Sequence, residues 1–195
     1  MDYINHPFYL SIRAVLKLIT RFIFWVKGYR IHSGEHLPKK RQACILIANH
    51  AAFVDSIYLI ASVRPRFTIC GAKPKYFRKW PIRQLFQIAN ILKVESHEQF
   101  LKDCRLLLRS GEVILVYPEM GRNPDAMGPF QTWAAEVALA EKVQVIPCYL
   151  YGTTNGQSGK KRLIVGSPIE PQGNAESLTQ MFRESILSLK PDKQA

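Results

Sequence analysis

His50 and Asp55, five positions apart in Ala48-Asn49-His50-Ala51-Ala52-Phe53-Val54-Asp55, are residues whose types and spacing could make a general base. An imidazole with one nitrogen held by a carboxylate offers the other as a base, in a fixed tautomer and orientation. An unperturbed histidine titrates at roughly 6.5, and general-base catalysis typically contributes about 10² to 10⁴ in rate. The spacing restricts the local structure. In an extended chain the two residues would stand about 17 Å apart, and in a helix about 7.5 Å apart along the axis on different faces. Only a turn lets them meet, so the pattern makes chemical sense as strand, loop, helix. Open α/β sheets carry their sites at such strand ends. The flanking runs fit: Ala43-Cys44-Ile45-Leu46-Ile47 reads as a strand and Ser56-Ile57-Tyr58-Leu59-Ile60 as a helix. There is no G-x-S-x-G, and Ser56 falls at the helix start, so no side chain is presented as a nucleophile. The base suits a substrate hydroxyl. The plain alternative is a capping Asn49 beside a surface His50.

A second polar cluster follows the unbroken apolar run Val113-Ile114-Leu115-Val116-Tyr117, which is of buried parallel type. Its loop, Pro118-Glu119-Met120-Gly121-Arg122, reads either as a solvated turn or as a phosphate site. In the second reading Arg122, with Lys73 or Lys75, binds phosphate through charge-assisted hydrogen bonds and Glu119 fixes their geometry. From Arg64 to Arg83 the chain carries Arg64, Arg66, Lys73, Lys75, Arg78, Lys79 and Arg83 and no acidic residue. Tyr76, Phe77 and Trp80 are interleaved, a combination suited to a membrane interface or an anion-binding wall. Lys39-Lys40-Arg41 and Lys160-Lys161-Arg162 read as solvated charge.

The elements that must position these loops alternate. Beyond the first strand, helix 55–63 precedes a short strand at 67–70, helix 81–89 and strand 91–94. Ser96 and Gln99 make a capping box for the next helix, which Gly111 ends. Strand 113–117, helix 130–141, strand 143–151, strand 162–165 and helix 176–189 complete the chain. Pro147 argues that strand 143–151 lies at an edge or ends there. The segment from Gly28 to Arg41 reads as a connection. This pattern predicts an α/β fold, a mostly parallel central sheet flanked by helices, with both polar loops on one edge. His50, Asp55, Glu119 and Arg122 then converge on one crevice.

At 195 residues the chain suits one domain, here 31–195, preceded by a helix within 1–30. A formal charge of +12 predicts attraction to something anionic. Cys44, Cys70, Cys104 and Cys148 contain no CxxC pair, and three lie in apolar runs, which fits a reduced intracellular protein. Pro7 to Lys27 is apolar but carries Arg13, Lys17, Arg21 and Lys27, too many charges for a membrane span or signal core. At 100° per residue Arg13, Lys17, Thr20, Arg21 and Lys27 share a stripe, opposite Val15, Leu18, Ile19, Phe22, Trp25 and Val26. This is a basic amphipathic helix, expected to lie in the headgroup region with its cations toward anionic lipid. The alternative is a terminal helix packed on the domain's own core.

Asn49-His50-x-x-x-x-Asp55, Tyr117-Pro118-Glu119-Met120-Gly121-Arg122-Asn123 and Val145-Ile146-Pro147-Cys148 resemble, in order and spacing, motifs of the PlsC-like glycerolipid acyltransferases, the lysophosphatidate acyltransferase superfamily. The resemblance spans roughly Ala43 to Gly152. It implies acyl transfer from acyl-CoA or acyl carrier protein to a lysophospholipid hydroxyl, 1-acylglycerol 3-phosphate foremost, at the cytoplasmic membrane face, without metal or cofactor. It assigns His50 as base, Asp55 as its orienting group, and Glu119 and Arg122 to the acceptor phosphate; Asn49, Gly121, Lys73 and Lys75 are the further substrate-binding candidates of this sequence. Met120-Gly121 replaces the family's Gly-Thr, Asn123 its Ser, Lys93 stands for the second motif's Arg, and Trp133 occupies a usually small position. These departures bear on the acceptor. The rival readings are the same chemistry on a lyso-amino-lipid or specialised metabolite, or a basic module bound to membrane or nucleic acid. No nucleic-acid motif is present, so nucleic acid is not an expected partner.

Overall fold

The computed structural model describes residues 7–39, 42–52, 54–63, 67–72, 74–153, 157 and 160–191. Of the residues named above, Lys40, Arg41, Phe53, Arg64, Arg66 and the expected phosphate ligand Lys73 lie outside them. The first half of the chain forms α1 (Pro7–Val26), β1 (Arg30–His32), β2 (Cys44–Ala48), α2 (Asp55–Ser62), β3 (Phe67–Ala72), α3 (Ile82–Ile88) and β4 (Ile91–Lys93). The second half forms α4 (His97–Arg109), β5 (Val113–Val116), α5 (Trp133–Glu141), β6 (Val145–Tyr151), β7 (Arg162–Val165) and α6 (Ala175–Ser188).

Among the described residues the strands make one sheet in the order β1-β7-β6-β2-β5-β3-β4. Every neighbouring pair is parallel except β6 with β7. β2 and β5 are adjacent and wholly buried, so their apolar runs need no polar alternation. Helices cover both faces. Ile45, Ile47, Ile114 and Val116 pack on one side with α4, α5 and α6, whereas Cys44, Leu46, Val113 and Leu115 pack on the other with Tyr58 and Leu59 of α2 and with Val63 just past its end. Each Ile or Leu so buried contributes about 1.5–3 kcal/mol from water removal. The chain therefore leaves β2 toward one face and β5 toward the other. Between two such strands the loops part at their carboxyl ends and leave a crevice, the topological switch point of an open sheet.

Three expectations are corrected. Gly28 to Arg41 is more than a connection, because Arg30–His32 is an edge strand paired with Arg162, Leu163 and Ile164. Pro147 lies in an interior strand, partnered with Ile47 of β2. Its carbonyl accepts the Gly166 N–H at 2.8 Å, just past the end of β7, so its missing N–H points to where that neighbour has ended.

The third correction concerns α1. Arg13 and Lys17 of its basic stripe face the domain and are only 6% and 7% exposed. Arg13 donates to the carbonyls of Gln87 (2.9 Å) and Ile88 (2.8 Å), which closes the carboxyl end of α3 with positive charge. Phe24 also turns inward and stacks on Tyr58, ring centroids 4.2 Å apart, while Tyr29 shares a hydrogen bond with Ser62. The opposite face is open: Leu18, Phe22, Trp25 and Val26 are each more than 60% exposed. No helix among the described residues is long and apolar enough to cross a membrane.

Candidate active site

The turn after β2 brings the His50 and Asp55 side chains together. Nδ1 of His50 lies 3.1 Å from Oδ2 of Asp55, and the same oxygen accepts the backbone N–H groups of Ala51 (2.7 Å) and Ala52 (2.8 Å). The carboxylate thus folds the loop back over the start of α2 and turns the imidazole edge toward itself. Asp55 is fully buried, and its Oδ1 makes no hydrogen bond among the described residues. With Oδ2 already accepting two backbone N–H groups, the Nδ1–H tautomer of His50 is the one that makes the third contact a hydrogen bond, and it leaves the lone pair on Nε2. The His50 side chain is 17% exposed, enough for that nitrogen to meet a substrate.

The loop after β5 locks onto the same histidine from the other side. Oε1 of Glu119 accepts the His50 backbone N–H at 2.9 Å. Oε2 accepts Nδ2 of Asn123 (2.6 Å) and the backbone N–H of Gly128 (2.8 Å), and the Asn123 N–H donates to the His50 carbonyl at 2.8 Å. Glu119 is therefore a clamp between the two loops, both its oxygens occupied by the protein. A side chain at Gly128 would have its Cβ 2.8 Å from Nδ2 of Asn123, so the clamp requires glycine there. Tyr117 lies face to face with His50, centroids 4.0 Å apart and planes at 14°, and its hydroxyl shares a 3.0 Å hydrogen bond with Ser56. Burial pushes its phenol far above the ordinary range.

The other expected site residues are dispersed. Arg122 precedes Asn123, so it stands at the crevice; its guanidinium is exposed and makes no hydrogen bond or ion pair among the described residues. Gly121 is exposed, and a Cβ there would meet the Glu119 carbonyl at an ordinary contact distance of 3.9 Å. Lys75 is exposed in the turn Pro74–Arg78, on the same sheet edge as the crevice but two strands from β2, roughly 10 Å away laterally. Asn49 has a different employment from substrate binding. It is 5% exposed, its Nδ2 donates to the Leu150 carbonyl (3.2 Å) and its Oδ1 accepts the Leu150 N–H (2.7 Å). The amide continues the β2–β6 ladder where the main chain of β2 has turned away. Lys93 is ion-paired with Glu95 beside the far edge strand, and Trp133 stacks on His97 over Phe100. The Ser56 hydroxyl shares its hydrogen bond with the Tyr117 hydroxyl.

Sequence reasoning missed Tyr117, Gly128 and Asn123 as parts of the site. The only local signal was the loop that contains them, since each acts through a partner far along the chain. Among the described residues no group of three His, Cys, Asp or Glu side chains is arranged to hold a metal ion.

A buried carboxylate holds a histidine at the switch point of an α/β sheet, an arrangement whose chemistry allows a general base to act on a hydroxyl. The model of the Acyltransferase family matches residues 28–151, which contain every element of this site, and the chain belongs to that family, the PlsC-like glycerolipid acyltransferases. Among curated relatives, a 1-acyl-sn-glycerol-3-phosphate acyltransferase of Chlamydomonas reinhardtii is 26% identical over 171 residues, covering 80% of this chain and 51% of that protein. The chloroplastic 1-acyl-sn-glycerol-3-phosphate acyltransferase LPAT1 of Arabidopsis thaliana is 26% identical over 190 residues (85% and 53%), and that of Streptococcus pneumoniae 23% over 174 residues (85% and 64%). The chain thus spans about half to two thirds of the length of these relatives. The fold is that of the 1-acyl-sn-glycerophosphate acyltransferase PlsC from Thermotoga maritima, TM-score 0.73 at 18% identity, covering 91% of this chain and 78% of that one.

Proposed function

We propose that this protein transfers a fatty acyl group from an acyl thioester, of coenzyme A or acyl carrier protein, to the free hydroxyl of a lysophospholipid, 1-acylglycerol 3-phosphate foremost. The observation that carries the reading is the His50–Asp55 contact inside the family's matched segment, with Nε2 left to face the crevice. Nε2 takes the hydroxyl proton as the oxygen attacks the thioester carbonyl. The carbon–oxygen bond forms, the carbon–sulfur bond breaks on collapse of the tetrahedral intermediate, and the departing thiolate recovers the proton from the imidazolium. Asp55 stabilises that imidazolium. The chemistry needs no metal or cofactor. Glu119 keeps the two loops in register, and the exposed guanidinium of Arg122 binds the acceptor phosphate, with Lys75 contributing longer-range charge. The curated relatives bear the name of this acceptor.

Membrane contact belongs to the same reading. The open apolar face of α1, with Trp80 (74% exposed) and Leu85 (54%), suits the hydrocarbon boundary, and Lys75, Arg78, Lys79 and Arg83 suit anionic headgroups. The protein is then peripheral, on the cytoplasmic face.

The test is the full chain with radiolabelled acyl-CoA or acyl carrier protein and a panel of lysolipids in mixed micelles. Labelled diacyl product that His50→Ala abolishes is expected. No transfer to any acceptor, or undiminished activity in His50→Ala, overturns the reading.

A further inference from the structure

We propose that Tyr117 and Ser56 are a positioning pair for the base: the Tyr117 ring fixes the plane of the His50 imidazole, and Ser56 tethers that ring to the helix that carries Asp55. This rests on the reading of His50 as the base. A single Nδ1 contact, at 3.1 Å, fixes one edge of the imidazole and leaves the ring free to tilt about that edge. The face is held separately. Tyr117 covers it with centroids 4.0 Å apart and planes at 14°, too nearly parallel to permit much tilt. The tyrosine is itself immobilised, being 7% exposed with its hydroxyl 3.0 Å from Oγ of Ser56. Ser56 directly follows Asp55 in the first turn of α2. One rigid turn therefore controls both constraints: Asp55 directly, and the face through Ser56 and Tyr117.

The contact also changes during the reaction. When Nε2 takes the hydroxyl proton, the ring becomes an imidazolium lying against the face of an electron-rich ring, an attraction of cation–π type. Burial keeps the phenol protonated, so the stacking partner stays neutral. An interaction that strengthens as the cation forms lowers the barrier, whereas a purely steric neighbour would not. The prediction separates this role from ordinary core packing, which would show in stability or in KM.

The experiment measures kcat and KM for both substrates, with the thermal midpoint, in His50→Ala, Tyr117→Phe, Tyr117→Leu, Ser56→Ala and the Ser56→Ala/Tyr117→Phe double variant. Tyr117→Leu is expected to lower kcat about tenfold with KM within about twofold, and Tyr117→Phe, which keeps the ring and loses only its tether, to lower kcat about threefold. Ser56→Ala and Tyr117→Phe break the same hydrogen bond, so the double variant should lose no more than the worse single one. A folded Tyr117→Leu variant with wild-type kcat, or a loss confined to KM, overturns the inference while an inactive His50→Ala leaves the base reading standing. Activity retained in His50→Ala overturns both. Should Tyr117→Leu fail to fold, the Ser56 and Phe variants decide: a non-additive fall in kcat supports the pair, and additive or absent effects overturn it.

Discussion

Asp55→Asn isolates the charge of the orienting carboxylate from its shape. The amide oxygen of asparagine can take the place of Oδ2 and keep the bonds from Ala51 N–H (2.7 Å), Ala52 N–H (2.8 Å) and His50 Nδ1 (3.1 Å), so the loop and the ring orientation survive. What disappears is the negative charge beside the imidazolium that forms in the transition state. With charge centres about 4 Å apart and an effective dielectric constant of about 20, that attraction is worth about 4 kcal/mol. Each 1.36 kcal/mol is tenfold in rate, so kcat should fall by about 10³. The new NH₂ group occupies the buried position of Oδ1, which has no partner among the described residues, and its desolvation should cost about 1–3 kcal/mol of stability. For a chain of this size that is a fall of several degrees in thermal midpoint. Asp55→Ala removes the acceptor of both backbone N–H groups and should unfold the loop as well as lower kcat. The assay is steady-state acyl transfer under saturating lysolipid and thioester, beside thermal unfolding. A folded Asp55→Asn protein within about tenfold of wild-type kcat would refute the assignment of Asp55 as the charge that stabilises the base.

Arg122→Ala should cost about 10- to 150-fold in kcat/KM for a phosphate-bearing acceptor, the worth of charge-assisted hydrogen bonds, and little for a phosphate-free one; equal effects on both would assign Arg122 to the fold. Asn49→Ala leaves the buried N–H of Leu150 without a partner and its carbonyl with only the 3.5 Å contact of the Thr153 hydroxyl, so it should lower stability by about 1–3 kcal/mol with KM little changed. An acceptor KM raised at an unchanged thermal midpoint would return Asn49 to substrate binding. Phe22→Glu with Trp25→Glu, on the open face of α1, should weaken sedimentation with anionic liposomes at least tenfold and leave the thermal midpoint unchanged. Undiminished sedimentation would remove α1 from the membrane contact. Burial pushes the thiol of Cys44 up to about 12 and raises those of Cys148 and the phenols of Tyr29 and Tyr117 further, while in the unfolded chain thiols and phenols ionise at roughly 8.5 and 10. Above those values the unfolded state binds fewer protons than the folded one, so stability should fall as pH rises past about 9, by up to about 1.4 kcal/mol per pH unit for each group passed. A thermal midpoint that stays level from about pH 8 to pH 10.5 would contradict it.

The strand–loop–helix at His50 was legible because the chemistry of the pair and the apolar runs beside it both demand a turn at one place. The sheet was legible for the same reason at β5 and β6, where unbroken apolar runs leave little choice but burial. β1 was not, since Arg30-Ile31-His32 is only three residues long and wholly exposed, and owes its conformation to the ladder of β7, more than 100 residues on. Asn49 was legible as a polar residue at a strand end, but its partner, Leu150, is equally remote. Spacing can therefore say that a residue is placed for chemistry, while only the tertiary partner says whether its polar atoms are free. Glu119 was read as fixing geometry and Asn49 as touching substrate; both have every side-chain acceptor engaged by the protein.

The helix α1 illustrates the same limit with a functional consequence. Periodicity located a cationic stripe and an apolar face correctly, and left open which of them meets the domain. The answer depends on what the domain offers. The carboxyl end of α3 presents carbonyls at the negative pole of a helix, and Arg13 satisfies them with a full charge, so burying the cation brings hydrogen bonds in place of hydration. Phe24 adds apolar contact on that side through Tyr58 and Tyr29. With Arg13 and Lys17 turned inward, the outward face runs through Val15, Leu18, Ile19, Phe22, Trp25 and Val26 with no cation among them. A helix lying at an interface with all its cations on the lipid side is held at headgroup depth, whereas this face is free to seat deeper, with the exposed Arg21 and Lys27 at its flank and Lys75, Arg78, Lys79 and Arg83 elsewhere left for electrostatic attraction. Because α1 packs on α2, the helix that begins at Asp55, a bilayer contacting α1 would lie on the α2 side of the crevice. A lipid hydroxyl would then reach Nε2 from that side and leave the α5 side open to a water-soluble thioester.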